Sequence, residues 1–138
     1  MQAQMIFWPV LAVLAIPVCV LLLNAKRKLE VRRSGVVDPK SVIDNTAWPL
    51  PVVLTSNALA NQFQLPIVFY VLCFILFALD SVSGIVFILA WVFAVLRWAH
   101  ALVHVTINAI PLRFASFLSS SLILFTLFIV TVLTLARL

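Results

Sequence analysis

The chain has 138 residues, of which 65% are hydrophobic and only 9% are charged, and its mean hydropathy is +1.25. Because a soluble domain carries roughly 25% charged residues, this composition excludes one and predicts an integral membrane protein. The net charge is +5, but most basic residues lie in one short segment without stacking aromatics, which argues against nucleic-acid binding. We expect one membrane domain over residues 1–138, since spans of about 20 residues use most of the chain.

Four apolar segments predict an all-α, four-helix transmembrane bundle. We place the spans at about 5–24, 57–79, 84–107 and 114–136. Each is long enough to cross about 30 Å of hydrocarbon at about 1.5 Å per residue. The last three spans have short connections and should be antiparallel neighbours. In those connections, Asp80 is expected to cap the third span and Pro111 to end it.

The basic residues predict the orientation of the chain. The first span has no charge before it, and its length and flanks favour an uncleaved anchor over a signal peptide. The polar connection 25–56 follows it and contains six of the nine Lys and Arg residues: Lys26, Arg27, Lys28, Arg32, Arg33 and Lys40. Positive loops face the cytoplasm and its anionic membrane lipids. We therefore expect 25–56 to be a cytoplasmic loop and both termini to lie outside the cytoplasm.

Two rows of polar side chains lie within the second and third spans. Asn57, Asn61 and Gln64 have i, i+4, i+7 spacing, which on a continuous helix gives a wedge about 60° wide. The third span carries a second row: Arg97, His100, His104 and Asn108. An unpaired Arg in mid-membrane costs about 2.5–3.5 kcal/mol, so Arg97 needs partners, and the amides are the obvious ones. The rows predict either a cytoplasm-facing polar pocket for an anion or hydrogen-bonded adhesion between helices.

Metal and carboxylate chemistry are not expected in this pocket. His100 and His104 have an i, i+4 spacing that can suit a metal, but Arg97 lies one turn away and would repel a cation. None of the acids lies in the cytoplasmic half of a span: Glu30, Asp38, Asp44 and Asp80. We predict no metal site, and the pattern argues against paired-carboxylate catalysis.

Two stretches resemble a known family. "NQFQLPIVFY" in the second span and "RWAHALVHVTINAIPLRF" from the third into the fourth resemble the MAPEG superfamily, the membrane-associated proteins in eicosanoid and glutathione metabolism. The similarity is to short bacterial members, covers nearly the whole chain and is most specific over 57–114. It implies a homotrimer in a bacterial inner membrane that binds glutathione between subunits near the cytoplasmic side. It also implies a lipophilic small-molecule substrate if the protein is an enzyme.

The resemblance also assigns roles to residues, with departures. On the second helix the family's enzymes carry an Arg, an Asn four residues later and a Glu three further on. Asn61 matches, whereas Asn57 and Gln64 replace the Arg and the Glu. On the third helix Arg97 matches, and His100 and His104 stand where the enzymes carry Tyr. The thiolate-stabilising Arg corresponds best to Arg113, about two residues late in an ungapped count.

These assignments give a predicted site. The resemblance implies catalytic roles for three residues: Arg113, His100 and His104. It implies glutathione-binding roles for five more: Asn57, Asn61, Gln64, Arg97 and Asn108.

Two functions remain open from the sequence. One is a glutathione-dependent transferase or peroxidase that acts on lipophilic substrates. The other is a non-catalytic trimeric membrane protein that uses the pocket for lipid binding, packing or contact with a larger complex. Transport is disfavoured, because the pattern shows neither inverted repeats nor broken helices.

Overall fold

The computed structural model describes residues 2–137 and shows an all-helical chain, with no strand in that range. The helices are α1 (Phe7–Arg33), α2 (Leu50–Asn61), α3 (Leu65–Ala78), α4 (Gly84–Val105) and α5 (Ile110–Leu135). Short 3₁₀ helices lie at Ala3–Ile6, Pro39–Val42 and Asn45–Ala47. Four segments are long and apolar enough to cross a membrane: Ala3–Arg33, Leu50–Ala78, Gly84–Val105 and Ile110–Leu135. The chain is therefore an integral, multi-pass membrane protein.

Helix α1 continues beyond its apolar part. The predicted connection began at residue 25, but the helix runs to Arg33. Lys, Arg and Glu are good helix formers, so the segment that follows the apolar run has no reason to unwind. Arg27 fixes this end of α1, because its guanidinium donates to the carbonyls of Pro51 (2.8 Å) and Val105 (2.9 Å). It thereby satisfies a terminal carbonyl of α4 as well as one in the first turn of α2.

The second span differs most from the prediction. It begins at Leu50 and is broken at residues 62–64, where the sequence predicted one continuous helix over 57–79. Pro66 explains the break, since it lacks the N–H that would bond the Gln62 carbonyl and restricts the residue before it. Gln64 has φ −106° and ψ −104°, outside the helical region. The polar row Asn57, Asn61 and Gln64 therefore spans two helices and the join between them.

The connections between α3 and α4 and between α4 and α5 also differ from the predictions. Ser83, rather than Asp80, caps α4, and its hydroxyl accepts from the Val86 N–H at 3.3 Å. Asp80 instead turns the chain with a φ of 48°. Helix α4 ends at Val105, and Pro111 lies in the first turn of α5, where its missing N–H is harmless.

Helix α4 is the central element of the bundle and packs against α1, α2 and α5. Its buried face carries Val86, Ala90 and Phe93, and Phe93 stacks on Phe69 of α3 with ring centroids 4.4 Å apart. The same face continues into the polar row that starts at Arg97. The apolar core and the polar site are thus consecutive stretches of one helix surface.

Candidate functional site

A cleft of about 440 Å³ lies where α2 meets α3, beside the end of α4 and the start of α5. Its lining combines polar and apolar side chains: Asn57, Asn61, Gln64, His100, His104, Arg113, Ile110, Phe114 and Phe117. The volume falls in the range of small-molecule sites. The bundle end that holds the cleft is also the end at which the basic connection between α1 and α2 emerges.

Arg97 lies behind this cleft and is fully buried, with 0% of its surface exposed. Its Nη2 donates to Asn61 Oδ1 at 3.0 Å, to Gln62 Oε1 at 3.2 Å and to the Asn61 carbonyl at 3.4 Å. These acceptors belong to the last residue of α2 and to the first residue of the break in the second span. Irregular backbone at membrane depth is tolerated when protein groups satisfy it, and Arg97 does so here. The prediction that Arg97 needs the amides of the second span is confirmed for Asn61.

Gln62 is the residue of this network that the sequence analysis missed. It is 2% exposed, and its Nε2 also donates to the Ala58 carbonyl at 3.1 Å. On a continuous helix it would have pointed away from the row formed by Asn57 and Asn61. Pro66 was the available signal, since a proline four residues later predicts a free carbonyl and a local change of direction.

The corner between α4 and α5 positions Arg113. Asn108 adopts a left-handed conformation with φ 47°, which Asn tolerates better than most residues. Its Oδ1 accepts from Arg113 Nη1 at 2.6 Å. Arg113 lies in the first turns of α5 and lines the cleft. Asn108 does not line the cleft, and it orients Arg113 through this hydrogen bond.

The two histidines form the wall of the cleft opposite the amides. His100 Nδ1 lies 3.0 Å from the Arg113 carbonyl, so this nitrogen carries a proton and donates. Its Nε2, and Nδ1 of His104, are buried and have no hydrogen-bond partner in the protein. The two rings lie 5.8 Å apart at 76°. Within residues 2–137, His100 therefore has one ring nitrogen without a hydrogen-bond partner, and the ring of His104 makes no hydrogen bond.

The charge of the site is positive and uncompensated. None of the residues lining the cleft is an acid. Within residues 2–137 the only ion pair is the exposed contact between Lys26 and Glu30, at 3.9 Å. No cluster of three His, Cys, Asp or Glu that could hold a metal occurs in the same part of the chain. Such a site favours an anion, because each charge-assisted hydrogen bond to it is about twice as strong as a neutral one.

The eight predicted site residues fall into two groups. Six line the cleft together: Asn57, Asn61, Gln64, His100, His104 and Arg113. The remaining two, Arg97 and Asn108, lie outside the lining and hold members of it, Arg97 through Asn61 and Asn108 through Arg113. The sequence analysis did not single out Phe114 and Phe117, which give the cleft an apolar rim on α5.

These features define an α-helical, multi-pass membrane protein with an acid-free polar cleft shared by its second, third and fourth spans. The model of the MAPEG family matches residues 5–133, and the chain belongs to that family. The match confirms the resemblance inferred from the second and third spans. No curated protein and no solved structure matches the chain.

Proposed function

We propose that the protein is a glutathione-dependent transferase or peroxidase that acts on lipophilic substrates. The observation that carries this proposal is the guanidinium of Arg113, held by Asn108 at a cleft that contains no carboxylate. Glutathione offers two carboxylates and a thiol that becomes an anion when it reacts. Its negative groups fit the donors of this cleft, whereas its ammonium finds only the neutral oxygens of amides such as Gln64.

The residues of the cleft take distinct roles in this proposal. When bound, glutathione supplies a nucleophilic thiolate. Arg113 stabilises that negative charge, and His100 or His104 donates to the thiolate or to the substrate. Asn57, Asn61 and Gln64 hold the peptide by hydrogen bonds. Arg97 contributes indirectly, because it fixes Asn61 and the break in the second span.

The proposal also covers the oligomeric state of the protein, its membrane and its orientation. We infer a homotrimer in a bacterial inner membrane with both termini outside the cytoplasm. The basic residues from Lys26 to Lys40 support this orientation through the positive-inside rule. The lipophilic substrate would approach from the bilayer, past the exposed side chains of Ile110 and Phe114, which are respectively 66% and 62% exposed.

Calorimetry of the detergent-solubilised protein tests this function. Glutathione is expected to bind, and Arg113→Ala should abolish the heat of binding. Arg137→Ala is the matched control, because it removes the same side chain from the opposite, exposed end of α5. Light scattering shows whether each variant is still a trimer. A trimeric protein that gives no heat with millimolar glutathione would exclude the proposal.

A second function is favoured by the departures from the family's enzymes. Asn57 and Gln64 stand where those enzymes carry Arg and Glu, and histidines stand in place of tyrosines. A non-catalytic protein that holds the phosphate of a membrane lipid would need cations and an apolar rim but no acid. Native mass spectrometry distinguishes the two: a lipid that stays bound to wild type, is lost from Arg113→Ala and is not displaced by glutathione supports this alternative.

A further inference from the structure

The connection between α1 and α2 exposes an unusual apolar pair. Val42 and Ile43 are 86% and 91% exposed; Val42 ends the first 3₁₀ helix of this connection, and Ile43 follows it. Two neighbouring branched side chains in water are unfavourable, whereas the same pair in the outer part of a bilayer is not. These residues do not line the cleft and have no role in the proposed function.

The structure holds this pair in place. The carboxylates of Asp38 and Asp44 cap the two 3₁₀ helices by accepting from the N–H groups of Lys40 and Thr46, both at 2.8 Å. The Trp48 indole donates to the Ser41 carbonyl at 3.0 Å and so closes the connection from the other side. Two caps and one cross-link fix the bend from which Val42 and Ile43 project.

The membrane geometry brings the bend to the lipid surface. Helix α1 has 27 residues and is about 40 Å long, which exceeds a hydrocarbon core of about 30 Å. Its basic end therefore stands in the headgroup layer or beyond it. The chain then returns to the membrane at Leu50, where α2 begins. The residues between these points join two spans on one side of the membrane, and Lys28 covers the Trp48 ring there at 5.2 Å.

We propose that Val42 and Ile43 form a wedge that inserts into the leaflet on their side of the membrane, with the surrounding basic residues on anionic headgroups. Lys40, Arg32 and Arg33 are all exposed and precede the wedge in sequence, and the carboxylate of Asp38 among them accepts from the Lys40 N–H. Asp44 lies beside it, but its carboxylate is engaged by Thr46, whose hydroxyl and N–H lower the pKa of Asp44. Apolar insertion together with basic contacts is the way that interfacial segments bind anionic membranes.

The wedge is connected to the edge of the cleft. Asn45, two residues after Ile43, donates through Nδ2 to Asn57 Oδ1 at 3.3 Å. Asn57 lines the cleft. One hydrogen bond therefore links the segment that follows the wedge to a residue that lines the cleft.

Fluorescence quenching tests the wedge. Cys19 and Cys73 are replaced by Ala, and a single cysteine that carries an environment-sensitive dye is introduced as Ile43→Cys. Ser34→Cys is the control, because it is exposed and follows the last turn of α1. Both proteins are reconstituted into vesicles of phosphatidylcholine with and without phosphatidylglycerol. Iodide reports exposure to water, and a nitroxide-labelled lipid reports contact with the bilayer.

The proposal predicts a blue-shifted dye at position 43 that the nitroxide lipid quenches, and iodide quenching severalfold weaker than at position 34. Removal of phosphatidylglycerol should weaken quenching by the nitroxide lipid at position 43 and leave it unchanged at position 34. Equal iodide quenching at the two positions would overturn the proposal. So would a dye at position 43 that neither quencher reaches, since a second protein surface would then cover the wedge.

Discussion

Arg97 of α4 donates to Asn61 of α2 at 3.0 Å, across the point where the second span is interrupted. The contact joins a buried cation to a helix end instead of to an acid. It also places the deepest charge of the bundle directly behind a residue that lines the cleft. The interruption and the guanidinium therefore depend on each other, since each would be unfavourable in the membrane without the other.

Replacing Arg97 should destabilise the bundle in a way that depends on Asn61. Arg97→Met keeps much of the volume but removes every donor, so the free energy of unfolding is expected to fall by about 1.5–3 kcal/mol. In Asn61→Ala the same substitution should have a smaller effect, because one acceptor is already absent. Detergent unfolding followed by tryptophan fluorescence measures both, with Arg137→Met as the control. Strictly additive losses would show that the two residues act separately.

Pro66→Ala should lengthen the helices across the interruption. Alanine restores the N–H that can bond the Gln62 carbonyl, so residues 62–64 gain helical hydrogen bonds. Hydrogen exchange of these amides is expected to slow, while the free energy of unfolding changes by no more than about 1 kcal/mol. Gln62 would then point away from the face of Asn57 and Asn61 and lose its contact with Arg97, and glutathione binding should weaken severalfold.

Pro111→Ala is the matched control for this experiment. Pro111 also lies in the first turn of a helix, but no interrupted span precedes it. Unchanged exchange at 62–64 in Pro66→Ala would mean that Arg97, and not the proline, holds the break open.

Asn108 should have two effects: it favours the left-handed turn between α4 and α5, and it orients the side chain of Arg113. Asn108→Gly keeps the left-handed conformation but removes the acceptor of Arg113, so glutathione affinity is expected to fall with little loss of stability. Asn108→Ala removes both and should also lower the free energy of unfolding by about 1–2 kcal/mol, the cost of a left-handed conformation for an ordinary residue. Calorimetry and thermal unfolding separate the two effects. Equal affinities for wild type and Asn108→Gly would remove the positioning role.

Gln64 should determine how strongly the cleft binds the ammonium group of glutathione. Gln64→Glu supplies a carboxylate partner, and an exposed pair of this kind contributes about 0.2–1 kcal/mol, so glutathione is expected to bind up to about fivefold more tightly. N-acetylglutathione lacks the ammonium and should gain nothing. The comparison of the two ligands by calorimetry is the test. A gain for both, or for neither, would show that the ammonium does not lie near Gln64.

Hydropathy and helical spacing predicted the four spans and the inward face of α4. Arg97, His100 and His104 continue the buried face of Phe93, so the helical period of about 3.6 residues was enough to predict that they point inward. The second span was harder to predict from the sequence. Placing Asn57, Asn61 and Gln64 on one face assumes a continuous helix, which Pro66 does not allow. All three residues line the cleft, but the helix that the prediction assumed for them is interrupted.

Two other features depend on contacts that no local pattern contains. The position of Asn108 is set by a left-handed turn and by an Arg five residues later, and neither has a periodic signal. Gln62 is recruited by a guanidinium from another helix. Local sequence describes which residues are polar, whereas tertiary contacts decide which of them meet.

Arg27 has a consequence for the order in which the bundle is completed. Its two acceptors are separated by a long stretch of chain: the Pro51 carbonyl is synthesised soon after it, and the Val105 carbonyl only after the third span. Because chains emerge from the N-terminus, the first bond can form while α4 does not yet exist. The second bond then closes the end of the bundle that holds the cleft. One guanidinium can thus connect α1 first to α2 and later to α4, at the end of the bundle that holds the cleft.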